Sequence, residues 1–224
     1  MRTGTLLFVV SLSIAAVLLI GLVWVGGVEA GTRTPFFFPM ILSHTSSAPT
    51  LTPEEVEGIL YMREEEKLAR DVYLTLYDTW NTPIFQNISR SEQQHMDMVK
   101  SLIDRYHLSD PAEGNDIGEF TNQTLQQLYD QLVAKGKTSL ADAFYVGATI
   151  EEVDIVDLLE RLEQTDKADI VQVYNSLKCG SGNHLRAYVS QWEHLTGQTY
   201  EPQYLSEELY QEIMSGQQGG CGGH

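Results

Sequence analysis

A helical stripe with a carboxylate in its middle constrains this chain more than any other feature. Ile59, Met62, Glu66, Ala69, Tyr73 and Leu76 follow one another at steps of 3, 4, 3, 4 and 3, the spacing of one face of an α-helix. Five of these residues suit a core, and the sixth closes the run Glu64-Glu65-Glu66. A carboxylate on a buried stripe is costly unless a metal ion, an arginine or a proton offsets its charge. Glu64 and Glu65 fall off the stripe and are expected on a solvated face.

The same interruption recurs along the chain. The helix that carries Glu66 is expected to begin at Thr52-Pro53-Glu54-Glu55, a capping box with proline at the first helical position. It should end near Trp80, ahead of Asn81-Thr82-Pro83. A second helix is expected from Ser89, which has capping-box spacing to Glu92, to about His107. Its stripe is Ile88, Glu92, His95, Val99, Leu102 and Tyr106. A polar loop over 110–118 precedes a shorter helix over 121–135, with Gly136 as its C-terminal stop. Ser139 caps a long helix to about Glu163, which aligns Leu140, Phe144, Gly147, Glu151, Asp154 and Leu158. The last long helix, 168–195, aligns Leu177, Ser181, His184, Tyr188, Gln191 and Leu195, and a short amphipathic helix follows over 206–214. No segment carries the alternation of a strand, so the fold class is all-α.

Each of the four long helices therefore places polar residues on its buried stripe: Glu66, then Glu92 and His95, then Glu151 and Asp154, then His184. A four-helix bundle sets such positions opposite one another. Four carboxylates and two imidazoles form a donor set suited to two divalent first-row ions; the imidazoles suit iron, manganese or zinc, and iron or manganese is the expected pair. Glu92-x-x-His95 aims both side chains the same way from one helix. Glu66 and Glu151, at equivalent positions in the two helix pairs, are read as the bridging carboxylates, with each histidine holding one terminal position. Glu151 fits the stripe better than its neighbour Glu152. Asp154 either reaches an ion or orients a histidine N–H. Arg186 is a candidate partner for a stripe carboxylate, and Tyr73 and Tyr188 read as core aromatics.

The strings Arg63-Glu64-Glu65-Glu66-Lys67-Leu68-Ala69-Arg70-Asp71-Val72-Tyr73, Ser91-Glu92-Gln93-Gln94-His95-Met96, Gly147-Ala148-x-x-Glu151-Glu152-x-Asp154-Ile155-x-Asp157-Leu158 and Asn183-His184-Leu185-Arg186-Ala187 resemble the ferritin-like family called domain of unknown function 2202. The likeness spans about 51–214. It implies a ferritin-like four-helix bundle, related to rubrerythrin, with a dinuclear metal site, to which the helices over 121–135 and 206–214 add a short helix in the crossover and one at the C-terminus. It supplies no reaction. The chain departs from the general ferritin-like pattern in its last long helix, where Ser181 stands three residues before His184 in place of a glutamate. Asp154 is the natural substitute. No Cys-x-x-Cys pair is present, so the rubredoxin-like centre of rubrerythrins is not expected.

Composition bounds the partners. The net charge of −17 offers no basic patch for nucleic acid. Residues 1–30 combine a positive charge, an apolar run over 6–25 and Val28-Glu29-Ala30, which reads as a signal peptide or as an uncleaved membrane anchor. Either places the folded part outside the cytoplasm, secreted or held on the outer face of the membrane. Residues 31–50 read as a linker, 51–215 as the ferritin-like domain and 216–224 as a flexible Gly-rich tail. Cys179 and Cys221 could pair in an oxidising compartment. The expected function is a di-metal protein that uses O2 or peroxide, and a homodimer stays open. A non-catalytic metal scavenger and a purely structural polar core are the alternatives.

Overall fold

The computed structural model describes residues 50–216. The leader, the linker up to residue 49 and the tail with Cys221 lie outside the described residues, and with them the expected cleavage of the leader and the Cys221 end of the expected Cys179–Cys221 pair. The described residues form six helices: α1 (Pro53–Trp80), α2 (Pro83–Tyr106), α3 (Gln123–Gly136), α4 (Leu140–Glu163), α5 (Ala168–Thr196) and α6 (Glu207–Met214). None of them is long and apolar enough to cross a membrane. α1 packs along α2 and α4 along α5, and the pairs meet through α1 against α4 and α2 against α5. α3 lies in the crossover, against α1 and α4, while α6 rests on α5.

Local chemistry sets the helix ends. Thr52 Oγ1 accepts from the backbone N–H of Glu55, and the Glu55 carboxylate accepts from that of Thr52, the reciprocal pair of a capping box. α1 stops where Asn81 adopts the left-handed region, at φ 49°. The break is only two residues long, because Pro83 opens α2 at its first helical position, where its missing N–H is not needed. α2 thus starts six residues before the expected Ser89. Ser89 is not a cap but a buried helical residue whose hydroxyl donates to the carbonyl of Gln86. Gly136 is likewise the last residue of α3 rather than a left-handed stop. A Cβ there would come within 2.7 Å of the Leu76 side chain, so close packing on α1 explains the glycine.

Two apolar clusters make the core. One gathers Leu68, Val72, Tyr73 and Leu76 of α1 with Phe85, Phe144, Leu185 and Tyr188. The other gathers Ile59 and Met62 with Val99, Leu102, Leu158, Tyr174 and Leu177. Each fully buried aliphatic side chain contributes about 1.5–3 kcal/mol. On every long helix the carboxylates and imidazoles of the stripe fall between the two clusters. The α5 stripe leaves the core beyond Tyr188, and Leu195 is 48% exposed.

Glu64 and Glu65 correct the expectation of a solvated face, since both are buried. The crossover covers Glu64. Glu64 accepts from the backbone N–H groups of Thr121 and Asn122, at the start of α3, where a helix favours negative charge. Lys67 is buried against Asp71 at 2.5 Å and donates to the carbonyls of Asp116 and Glu119. Arg63 pairs with Asp110 at 2.9 Å. The charge run of α1 is thus a set of anchors for the loop over 107–122.

Candidate metal centre

Between the two clusters, side chains from α1, α2, α4 and α5 converge. Nδ1 of His95 lies 2.7 Å from Oε2 of Glu92 and 3.2 Å from Oε2 of Glu66. Nδ1 of His184 lies 2.8 Å from Oε1 of Glu92 and 3.5 Å from Oε2 of Glu151. The imidazoles stack with ring centroids 5.5 Å apart. Two buried triads result, Glu66–Glu92–His95 and Glu92–Glu151–His184, each with its ligand atoms within 4.8 Å of one another. Glu92 belongs to both. The sequence had pointed to Glu66 and Glu151 as the shared carboxylates, whereas each of these enters one triad only.

Asp154 stands beside the triads and belongs to neither. Its Oδ2 accepts from the hydroxyl of Ser181, the residue that takes the place of the missing glutamate on α5. Tyr73 is more than a core aromatic, because its hydroxyl donates to Oε1 of Glu151 at 2.6 Å while its ring meets Tyr188 at 5.1 Å. Glu152 faces away from the centre. It accepts from the Tyr200 hydroxyl and from the backbone N–H groups of Gln203, Tyr204 and Leu205, and so fastens the segment before α6. Arg186 does not pair with a stripe carboxylate, as it donates to the carbonyl of Ile213 and to Asn183 on the outside of α5.

Several contributors were not singled out from the sequence. Oγ of Ser91 lies 2.9 Å from Nε2 of His184, on the ring edge away from the carboxylates. A Cβ on Gly180 would fall 2.4 Å from Nε2 of His95, and one on Gly147 would fall 2.7 Å from the Tyr188 ring. A glycine inside a helix costs about 1 kcal/mol against alanine, and that cost was the available signal of a packing reason.

Charge at the centre is balanced within the side chains themselves. Burial works against the charge of Glu92, yet the imidazoles of His184 and His95 outweigh it and hold the carboxyl at about 2. Burial, then repulsion from Glu92, pushes Glu151 up to about 7, against His184 and Tyr73. Burial also raises Glu66, with His95 opposing. His184 is raised to about 10, because Glu92 and Glu151 overcome the effect of burial, and His95 is raised by Glu66 and Glu92 in the same way.

The donor set fits metal ions. Oε1 of Glu66, Oε1 of Glu92 and Nδ1 of His184 are buried yet form no aligned hydrogen bond, although Glu92 and His184 approach to 2.8 Å. Their short contact runs off the direction of an N–H···O bond, as expected of donors aimed at common points between them rather than at each other.

The uncharacterized protein MJ0754 of Methanocaldococcus jannaschii is 50% identical over 177 residues, 78% of this chain and 95% of the relative. A crystal structure of the hypothetical protein MJ0754 aligns with a TM-score of 0.72 at 51% identity, over 76% of this chain and 98% of that one. The family described as the uncharacterized protein domain DUF2202 matches residues 55–217, which contain both triads, and this chain belongs to that family.

Proposed function

We propose that this is a ferritin-like protein that holds two divalent metal ions, iron or manganese, at the paired triads, and that it acts outside the cytoplasm in oxidation by O2 or peroxide. One observation carries the metal reading: two buried carboxylate–imidazole triads share Glu92 and retain buried donor atoms without an aligned hydrogen bond. The helix pairs α1–α2 and α4–α5, joined by a long crossover, support the ferritin-like arrangement. The apolar leader with its small-residue cleavage pattern supports the location.

Iron or manganese bound there would supply the electrons for reducing O2 or peroxide. The side chains do the rest. His95 and His184 each present Nδ1 to the carboxylates, and binding requires that they lose the protons those carboxylates stabilise. With Ser91 accepting from its Nε2–H, His184 would keep its lone pair on Nδ1 for an ion. Tyr73 holds Glu151 in orientation through its hydroxyl. The apolar clusters on either side keep bulk water from the triads.

Metal analysis of protein loaded with Fe(II), Mn(II) or Zn(II) tests the reading. Two bound equivalents are expected, and none would overturn it. A change in absorbance when the Fe(II) form meets O2 or peroxide is expected of an oxidase. A silent spectrum with metal bound would overturn the oxidation chemistry and leave a metal-holding protein.

A further inference from the structure

The chain carries two Asn-x-Ser/Thr tripeptides without proline at the middle position, Asn87-Ile88-Ser89 and Asn122-Gln123-Thr124. This spacing is the acceptor signal of N-glycosylation, in which the asparagine amide takes a sugar and the hydroxyl two residues on is read with it. The fold sets the two apart. Asn87 and Ser89 lie inside α2, and Ser89 is buried with its hydroxyl committed to the carbonyl of Gln86. Asn122 and Thr124 stand where the crossover loop enters α3, with Asn122 half-buried and both Gln123 and Thr124 exposed.

All but one of the polar groups of Asn122 are engaged. Its backbone N–H donates to the Glu64 carboxylate at 3.1 Å, and its carbonyl accepts from the N–H of Gln126 at 2.9 Å. Oδ1 caps α3, accepting from the backbone N–H groups of Thr124 at 2.9 Å and Leu125 at 3.3 Å. Because Oδ1 faces the helix, the planar amide turns Nδ2 away from it. Among the described residues, neither Nδ2 of Asn122 nor the hydroxyl of Thr124 has a hydrogen-bond partner. A sugar on Nδ2 would therefore break no bond of the fold.

We infer that Asn122 is a site of N-linked glycosylation, loaded from a lipid-linked oligosaccharide. This rests on the extracytoplasmic reading above, because such transfer takes place on exported chains. In the transfer Nδ2 forms a bond to C1 of the sugar and gives up one proton. The bond from C1 to the lipid phosphate breaks, and its electron pair leaves with the phosphate. The product retains one N–H and the amide oxygen, so the cap of α3 and the anchor to Glu64 both survive it. The sugar would stand at the end of the loop that Arg63, Glu64 and Lys67 fasten to α1.

The test is expression of the full chain, with its own leader, in a eukaryotic host that N-glycosylates the proteins it exports. Exported protein is expected to migrate faster after peptide N-glycosidase, and mass spectrometry should then find Asn122 converted to aspartate. Asn122→Asp keeps an N-cap of equal quality but has no amide nitrogen, so it should be exported without the modification. Thr124→Ala leaves the asparagine in place and should lose the sugar, whereas Thr124→Ser should keep it. Asn87→Gln should leave the modification of Asn122 unchanged. Exported wild type with an unmodified Asn122 overturns the site while the location stands, even if Asn87 carries a sugar. Persistence of the sugar on Asn122 in Thr124→Ala would also overturn it, since the tripeptide would not be what is read. A chain held in the cytoplasm overturns the location reading, and the site falls with it.

Discussion

Oγ of Ser91 sits 2.9 Å from Nε2 of His184, one residue before Glu92, whose carboxylate meets Nδ1 of the same ring. A single turn of α2 thus grips both edges of an imidazole carried by α5. Removing the hydroxyl frees the ring to turn and to change tautomer. Ser91→Ala is expected to weaken metal binding roughly 10–100-fold with the fold intact. Co(II) titration alongside far-UV circular dichroism checks this, and an unchanged affinity would leave Ser91 without a role in the ligand set.

Glu92 and Glu66 separate by stoichiometry. Because Glu92 belongs to both triads and Glu66 to one, Glu92→Gln is expected to abolish binding at both positions, and Glu66→Gln at one. Metal content after gel filtration reads the result directly. Two equivalents lost in Glu66→Gln and one in Glu92→Gln would restore Glu66 as the bridge.

Gly180→Ala pits helix propensity against space. Alanine favours the helix by about 1 kcal/mol. Its Cβ, however, would lie 2.4 Å from Nε2 of His95, and overpacking of this kind costs about 1–3 kcal/mol. The variant is expected to bind one equivalent fewer, through displacement of His95, and to melt at or below the wild-type temperature. A rise in melting temperature with full metal content would show that the ring gives way freely.

The pH dependence of stability can be followed at Asp110, away from the centre. Burial opposes its charge, but Arg63 outweighs burial and holds the carboxyl below its ordinary value. A depressed folded pKa contributes stability that is present above the unfolded value, about 3.9, and disappears as pH falls through the folded one. Asp110→Asn is expected to lose about 2 kcal/mol at pH 7. Urea unfolding from pH 7 to pH 3 should show the gap to wild type closing as the pH falls. A gap that widens in acid would reverse the sign of this linkage.

The stripe periodicity was legible because a buried helix face repeats in the sequence itself. Ile59 through Leu76 follow it, and the capping box at Thr52 and the serine cap at Ser139 begin their helices where expected. The charges of α1 were not legible. Glu64 and Lys67 are satisfied largely by backbone groups of a loop about fifty residues further on, and a backbone N–H leaves no mark in the sequence. The early start of α2 was hidden because Pro83 both ends one helix and opens the next. Neither the sharing of Glu92 nor the place of Asp154 followed from spacing, since each depends on how far two helices stand apart. Ser181 was seen as an absence, and the structure gives it a positive task in holding Asp154.

The polar band between the two apolar clusters divides the bundle into two oily halves with a wet-natured waist. Each half can stay closed while the waist loosens, because the carboxylates there repel one another and only the imidazoles, Tyr73 and Ser181 hold them. Backbone amides one turn beyond Glu66, Glu92, Glu151 and Ser181 should therefore exchange with solvent sooner than those at Ile59 or Phe144, and ions bound at the waist would close that seam. Binding would then act as a clasp on the rod, felt along all four helices at once.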